Sequence, residues 1–393
     1  MAEKTFLISD LHLGIDAPEN LYQRKYHEAG LKAALRHIAA SARETRDFVI
    51  LGDWFDMLAV PPSRRPYSLS EVIAAHPGLF EEQRDGSGDF VTLFRSLRGG
   101  LSYVNGNHDQ FVSVDEVNAI LEPRCGRRLA GLSNPVQNEA FGKGSLIAEH
   151  GHMHTLLFRA RSHLSRSDPP FGTFITRMLA LICSQELARL GRTCAPELKG
   201  GGEPAFGFAA AGFAAKEFVE LALGAEDLAQ ALLDQMLFFA HANKEELAFI
   251  LDDGSKLAAS AIPDKYRDLW TKLAEDLEPL MADAADSLKK PAEKRIAAGA
   301  RIVAMGHTHR PLLQVEHYPS EAVYVNTGFF CPALDSLDSG EKCPTFAEIE
   351  HRRDADIVLL RKVDRSGRVS TLNSAELKVD QRAPIFGARR LTR

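Results

Sequence analysis

Only five of the 393 residues are cysteine, at positions 125, 183, 194, 331 and 343, and no two form a C-x-x-C pair. That scarcity argues against a disulfide framework and a thiolate metal site, and it fits reduced thiols in the cytoplasm, the compartment expected here. Excess charge of one sign is also missing. A net charge of −6 gives no support to bulk attraction of nucleic acid and leaves room only for a local basic channel. Long apolar runs are missing too: "FGTFITRMLALICSQELARL", from Phe171, is broken by Arg177 and Glu186 and falls short of a spanning helix. The first strand begins near Thr5, so no signal peptide is expected. What is present, 45% hydrophobic and 25% charged residues, suits a soluble globular chain with ample core, long enough for two or three domains.

Short apolar runs recur at 5–9, 47–51, 101–105, 145–149, 301–305 and 322–326. Their near-continuous apolar character predicts strands buried on both faces, and the helix-spaced segments at 21–42 and within 71–100 predict an α/β core. Between about Thr155 and Gly299 the texture changes to Ala, Leu, Phe and charge, which reads as an insertion with helices near 171–191, 206–223, 225–252 and 264–288. A hairpin is expected around Arg365–Gly367. The expected division is a discontinuous core of 1–156 and 298–373, a helical insertion or cap at 157–297, and a basic tail at 374–393.

The ends of the strands carry the chemistry. "FLISDLH" closes on Asp10 and His12; "ILGDWFD" on Asp53 and Asp56; "YVNGNHD" on Asn107, His108 and Asp109; "LIAEHGHMH" on His150, His152 and His154; "VAMGHTHRP" on His307, His309 and Arg310. In α/β sheets the crevice beyond the carboxyl ends of the strands is where ligands bind. A single D-x-H means little, since about one is expected by chance in a chain of this composition. Five successive strand ends tipped by Asp, Asn and His mean more. Carboxylate, amide and imidazole donors without cysteine suit manganese, iron, zinc or nickel rather than calcium.

With these blocks in view, the sequence resembles the calcineurin-like metallophosphoesterases. Their pattern of D-x-H, G-D-x-x-D, G-N-H-D/E, a strand-end His and G-H-x-H stands here in order as "DLH", "GDWFD", "GNHD", "EHGH" and "GHTH", over roughly residues 4–156 and 298–330. The resemblance implies an α/β fold, a four-layer αββα sandwich, here with a large helical insertion. It further implies two divalent ions, with manganese expected. Asp10, His12 and His309 would hold one ion; Asn107, His150 and His307 the other, with Asp53 bridging. His152 and His154 stay open as alternatives to His150 or as residues of the mouth. His108 would serve the leaving group, with Asp56 orienting it, and Asp109 would be structural. Arg310 could clamp a second phosphate, and Asn326, Thr327 and Gly328 would support the metal loops.

Two divalent ions against two carboxylates leave a confined positive charge suited to phosphate anions. The expected reaction is hydrolysis of a phosphodiester or pyrophosphate by in-line attack of a hydroxide shared between the ions. The expected substrate is a phosphorylated small molecule or nucleotide-like compound. The alternatives are a UDP-2,3-diacylglucosamine-type pyrophosphohydrolase, which would typically carry Arg in place of His108, a DNA-repair-type nuclease, and an inactive scaffold binding partners through the insertion.

Overall fold

The computed structural model describes residues 2–83, 88–132, 141–143, 146–159, 168–193, 227–268, 288–317, 321–332, 338–340 and 342–378. In chain order its elements are β1 (Glu3–Ile8), α1 (Arg24–Ala40), β2 (Thr45–Leu51), α2 (Leu69–Ala75), α3 (Pro77–Phe80), α4 (Phe90–Ser96), β3 (Gly100–Val104), α5 (Val114–Cys125), β4 (Ala130–Leu132), β5 (Phe141–Lys143) and β6 (Leu146–Ala148). The insertion follows, with α6 (Phe171–Leu190), α7 (Leu228–Phe239), β7 (Ala248–Ile250), β8 (Lys256–Ala258) and α8 (Ile262–Lys265). The chain then returns through α9 (Lys289–Ala297), β9 (Ile302–Met305), β10 (Leu312–Glu316), β11 (Ala322–Asn326), β12 (Thr345–His351), β13 (Ala355–Val363) and β14 (Val369–Lys378).

Alternation along the strands builds the layers. On β1, Phe6 and Ile8 join the cluster shared with α1 to α5, while Leu7 points the other way and joins the cluster between the sheets. Val49 and Leu51 of β2 do the same, meeting Ile302 and Ala304 of β9 and Val323 and Val325 of β11. On the far face, Val303, Met305 and Tyr324 pack on Ala292 and Ile296 of α9. The result is helices, sheet, sheet, helix: a four-layer sandwich. Period-two side-chain direction lets one apolar strand serve two layers at once.

One sheet has the order β14-β13-β12-β1-β2-β3-β4, the other β10-β11-β9-β6-β5. β1, β2, β3 and β4 are mutually parallel, as are β6, β9 and β11, so their carboxyl ends emerge together. The first strand is completed by a late one, because β12 lies antiparallel beside β1. α1 buries Leu31, Ala34, Leu35 and Ile38 at helical spacing, and α2 and α5 open with capping boxes, Ser68–Glu71 and Ser113–Glu116.

The insertion has its own apolar core, in which Phe174, Met178 and Ile182 of α6 meet Leu232, Leu233 and Met236 of α7. It is not purely helical. The helix expected over 225–252 stops at Phe239, and β7 pairs with β8 as a hairpin turning at Asp253-Gly254. The helix expected at 206–223 and most of that at 264–288 lie outside the described residues. β14 also runs on to Lys378, so the stretch read as a tail begins as strand, and the rest of it lies outside the described residues. Among the described residues no helix is long and apolar enough to cross a membrane.

A buried carboxylate ties β12 to its surroundings. Glu348 accepts from Lys4 Nζ at 2.6 Å and Arg361 Nε at 2.8 Å, and lies 3.2 Å from His37 Nε2. Burial alone would raise its pKa, but hydrogen bonds from His37, Arg361 and Lys4 outweigh it and hold the carboxyl down at about 2. A depressed carboxylate stabilises the fold above its unfolded pKa, and that stability is lost as pH falls toward the folded value. Glu348→Gln is therefore expected to cost about 3 kcal/mol at neutral pH. It should also flatten the loss of stability between pH 4.5 and about 2. Urea unfolding at stepped pH measures both; an unchanged acid limb would contradict the assignment.

Candidate metal centre

Three of the blocks, those of Asp10, Asp53 and His307, leave their strands through left-handed turns. Asp10, His12, Asp53, His307 and His309 all have positive φ, between 47° and 70°, in the left-handed region that non-glycine residues rarely occupy. Five such residues at five of the expected ligand positions is strain gathered in one place. Backbone bonds hold it: Asp10 N–H donates to Gly52 O at 3.0 Å, His12 N–H to Asp53 O at 2.9 Å, and Gly306 N–H to His150 O at 3.1 Å. His307 N–H donates to both oxygens of Asp10 at 3.1 Å, linking the two sheets at the site. Two glycines make the crowding possible. A Cβ on Gly52, at φ 83°, would run into the His150 ring, and one on Gly106 into the Asp53 carboxylate.

The side chains gather into three overlapping sets, one of them His12, Asp56 and His108, and Asp53 is common to the other two. Asp10, His12, Asp53 and His309 place a donor atom each within 4.8 Å of one another, and so do Asp53, His150 and His307. His12 Nε2 and His309 Nε2 lie 3.0 Å apart, and His309 Nε2 lies 3.2 Å from Asp10 Oδ1. In the second set His150 Nε2 is 3.2 Å from Asp53 Oδ2 and 3.3 Å from Asn107 Oδ1. His150 Nδ1 donates to Leu51 O at 2.9 Å, which leaves Nε2 for the centre.

Third-party contacts orient the rest. Asp56 Oδ1 is 2.8 Å from His108 Nδ1 and accepts from the amides of Leu58 and Ala59, while its Oδ2 is 3.4 Å from His12 Nδ1. Asp109 latches two motif loops together, accepting from Trp54 N–H at 2.8 Å and Gly106 N–H at 2.7 Å. Asn326 Nδ2 donates to Gly306 O and Thr308 Oγ1, and Thr327 N–H to Met305 O, holding the last motif loop. The His309 ring stacks on Phe329 at 4.1 Å.

The electrostatics fit divalent cations. Burial would raise Asp53, but the His150 and His108 imidazoles beside it hold it well below the usual carboxylate range. Burial opposes protonation of His150, yet Asp53 and Asp10 raise it to about 10. Carboxylates that hold a proton so firmly on an imidazole offer the same negative charge to a metal ion in its place. Desolvation and the neighbouring His150 push His307 well down, so its ring is neutral and has a lone pair to give. The residues therefore suit two divalent ions, with carboxylate, amide and imidazole donors and no thiolate.

Every expected site residue is in or beside this cluster except Arg310, which is exposed at the rim one residue past His309. The alternatives around His150 separate cleanly. His154 Nε2 turns away to Glu149 Oε1 at 3.0 Å, and Arg295 holds the same carboxylate. His152 is buried beside His150 and His307 but outside all three donor sets.

The insertion meets the core at the site. Phe158 packs edge-on against His307 at 5.4 Å, and Leu288, at the other end, fills the space beside Gly151. Arg177 of α6 is buried and donates to the carbonyls of Pro61, Pro62 and Arg64, just past the Asp53 loop, and to Ile250 O at 2.6 Å. Sequence reading took Arg177 only as a break in an apolar run; nothing in its neighbours signals this anchoring.

No family model and no curated protein sequence matches the chain. Solved structures similar to it include a dimetal phosphatase from Danio rerio, at 13% identity, covering 96% of this chain and 99% of that one, with a TM-score of 0.36. Vacuolar Protein Sorting 29 from Cryptosporidium parvum aligns at 10% identity over 96% of this chain and 100% of its own, with a TM-score of 0.32. A predicted phosphoesterase from Streptococcus pneumoniae TIGR4 aligns at 18% identity over 25% of this chain and 51% of its own, with a TM-score of 0.19. Likenesses this distant leave the functional reading to the side chains themselves.

Proposed function

We propose that this chain is a phosphoric ester hydrolase of the calcineurin-like metallophosphoesterase kind, working with two divalent ions on a phosphodiester or pyrophosphate bond. One observation carries the reading: Asp53 belongs both to the set of Asp10, His12 and His309 and to the set of His150 and His307. Asp10, His12 and His309 would hold one ion and Asn107, His150 and His307 the other, with Asp53 available to both. Bound there, the ions, expected to be manganese, supply positive charge against phosphoryl oxygens and lower the pKa of a coordinated water.

The protein's own groups do the rest. Asp56 fixes His108 through Nδ1, which leaves Nε2 as the nitrogen able to donate to the departing oxygen. Burial disfavours the charged ring, but the Asp56 and Asp53 carboxylates oppose it and raise its pKa to about 9. Arg310 is assigned to a second phosphate of the substrate, as its guanidinium suits bidentate phosphate contact. The substrate class follows: a phosphorylated small molecule or a nucleotide-like compound.

Chelation tests the core of this. Protein dialysed against EDTA is expected to lose hydrolysis of bis(p-nitrophenyl) phosphate, and manganese to restore it as elemental analysis returns to two ions per chain. Undiminished turnover by metal-free protein would overturn the reading. The same preparation, offered UDP-diacylglucosamine, single-stranded DNA, cyclic nucleotides and simple monoesters, distinguishes the substrate classes.

A further inference from the structure

We propose that His152 binds substrate, its ring N–H holding a non-bridging oxygen of the phosphoryl group; the inference rests on the phosphoesterase reading above. Beyond β6 the chain turns through Gly151, at φ 109°, against the Leu288 side chain, and that turn returns His152 toward the centre. Its carbonyl is fixed by Thr155, accepting from the amide at 3.1 Å and the hydroxyl at 2.7 Å. The ring is 3% exposed and lies 5.4 Å from the His150 ring and 6.4 Å from that of His307, centre to centre. Among the described residues neither of its nitrogens has a hydrogen-bond partner.

A buried imidazole with both nitrogens unpaired is costly to keep unless something supplies the partner. Here the partner is not a metal: the donor set of Asp53, His150 and His307, closed within 4.8 Å, leaves His152 out. A phosphoryl oxygen is the chemistry that fits. In any protonation state the ring keeps an N–H to donate, and an anion drawn to the second donor set places acceptor oxygens beside it. His154, two residues on, has no such freedom, because Glu149 holds it.

The test compares His152→Phe, which keeps a ring without a donor, with His152→Gln, which keeps a donor without a ring. Manganese-loaded proteins are titrated with inorganic phosphate by calorimetry, with metal content measured alongside. Expected are two ions per chain in both variants, phosphate affinity roughly tenfold weaker in His152→Phe, and affinity within about threefold of wild type in His152→Gln. KM for bis(p-nitrophenyl) phosphate should rise in step. His152→Ala replaces the phenylalanine variant should that one fail to fold. Wild-type affinity in the donor-less variant, or loss of an ion from it, overturns the assignment. A wild-type protein that takes up no ions sinks instead the phosphoesterase reading beneath it.

Discussion

Asp53→Asn protein is expected to retain its fold, to carry fewer than one ion per chain after dialysis, and to hydrolyse bis(p-nitrophenyl) phosphate at least roughly 10³-fold more slowly. The expectation follows from position. Asp53 Oδ2 is 3.2 Å from His150 Nε2 and 3.7 Å from His12 Nε2, one imidazole from each donor set. Its other oxygen accepts from His108 N–H at 2.8 Å. An amide would keep that bond and the shape while removing the negative charge that both proposed ions would share. The second ion would then face a buried, neutral set and the first only the Asp10 carboxylate, so the desolvation of two cations has little to offset it. Elemental analysis and initial rates, with manganese at several concentrations, measure the effect. Full metal content with normal turnover would leave the bridging role without support.

His108→Ala should behave in the opposite way on one of those readouts. Its ring forms a set with His12 and Asp56, apart from the Asp10 and His150 sets, and Asp56 takes up its Nδ1, so two ions per chain should remain. Turnover should fall by about 10²–10⁴-fold, the usual contribution of a positioned acid, with KM moving little. Substrates whose leaving group needs no proton, such as p-nitrophenyl esters, should sit at the low end of that range, and alkyl esters at the high end. Equal losses on both kinds would show that His108 does not serve the departing oxygen. Loss of metal would move it into the ligand set.

The core and its chemistry were legible because both are written in local chain order. Strands such as "DFVIL" are apolar on both faces and end in the residues that matter, so type, boundary and placement come from one short window. β12 was not legible, since "TFAEIEH" puts Glu348 and Glu350 where a buried strand would carry apolar residues. Only Lys4, His37 and Arg361, distant in sequence, make Glu348 acceptable there. β4 and β5, three residues each, are too short to show a period. The hairpin in the insertion has a sequence signal in Asp253-Gly254, a turn pair between apolar stretches. The left-handed turns at Asp10, His12, Asp53, His307 and His309 leave no trace in composition, since non-glycine residues adopt them only under tertiary constraint. The same holds for His152, whose unpaired nitrogens exist only once Gly151 and Leu288 have set the turn.

The pairing of β1 with β12 has a consequence for how the molecule is made. A nascent chain emerging from the ribosome presents Asp10, His12 and Asp53 first, yet His307 and His309 arrive only after the whole insertion has been synthesised. Until Thr345–His351 follows, β1 also exposes one open edge of backbone donors and acceptors. Contacts spanning such sequence distances close late and slowly. The full set of ligands proposed here cannot assemble before His307 and His309 emerge, and the interval before β12 pairs is when the half-made sheet is most open to misassociation.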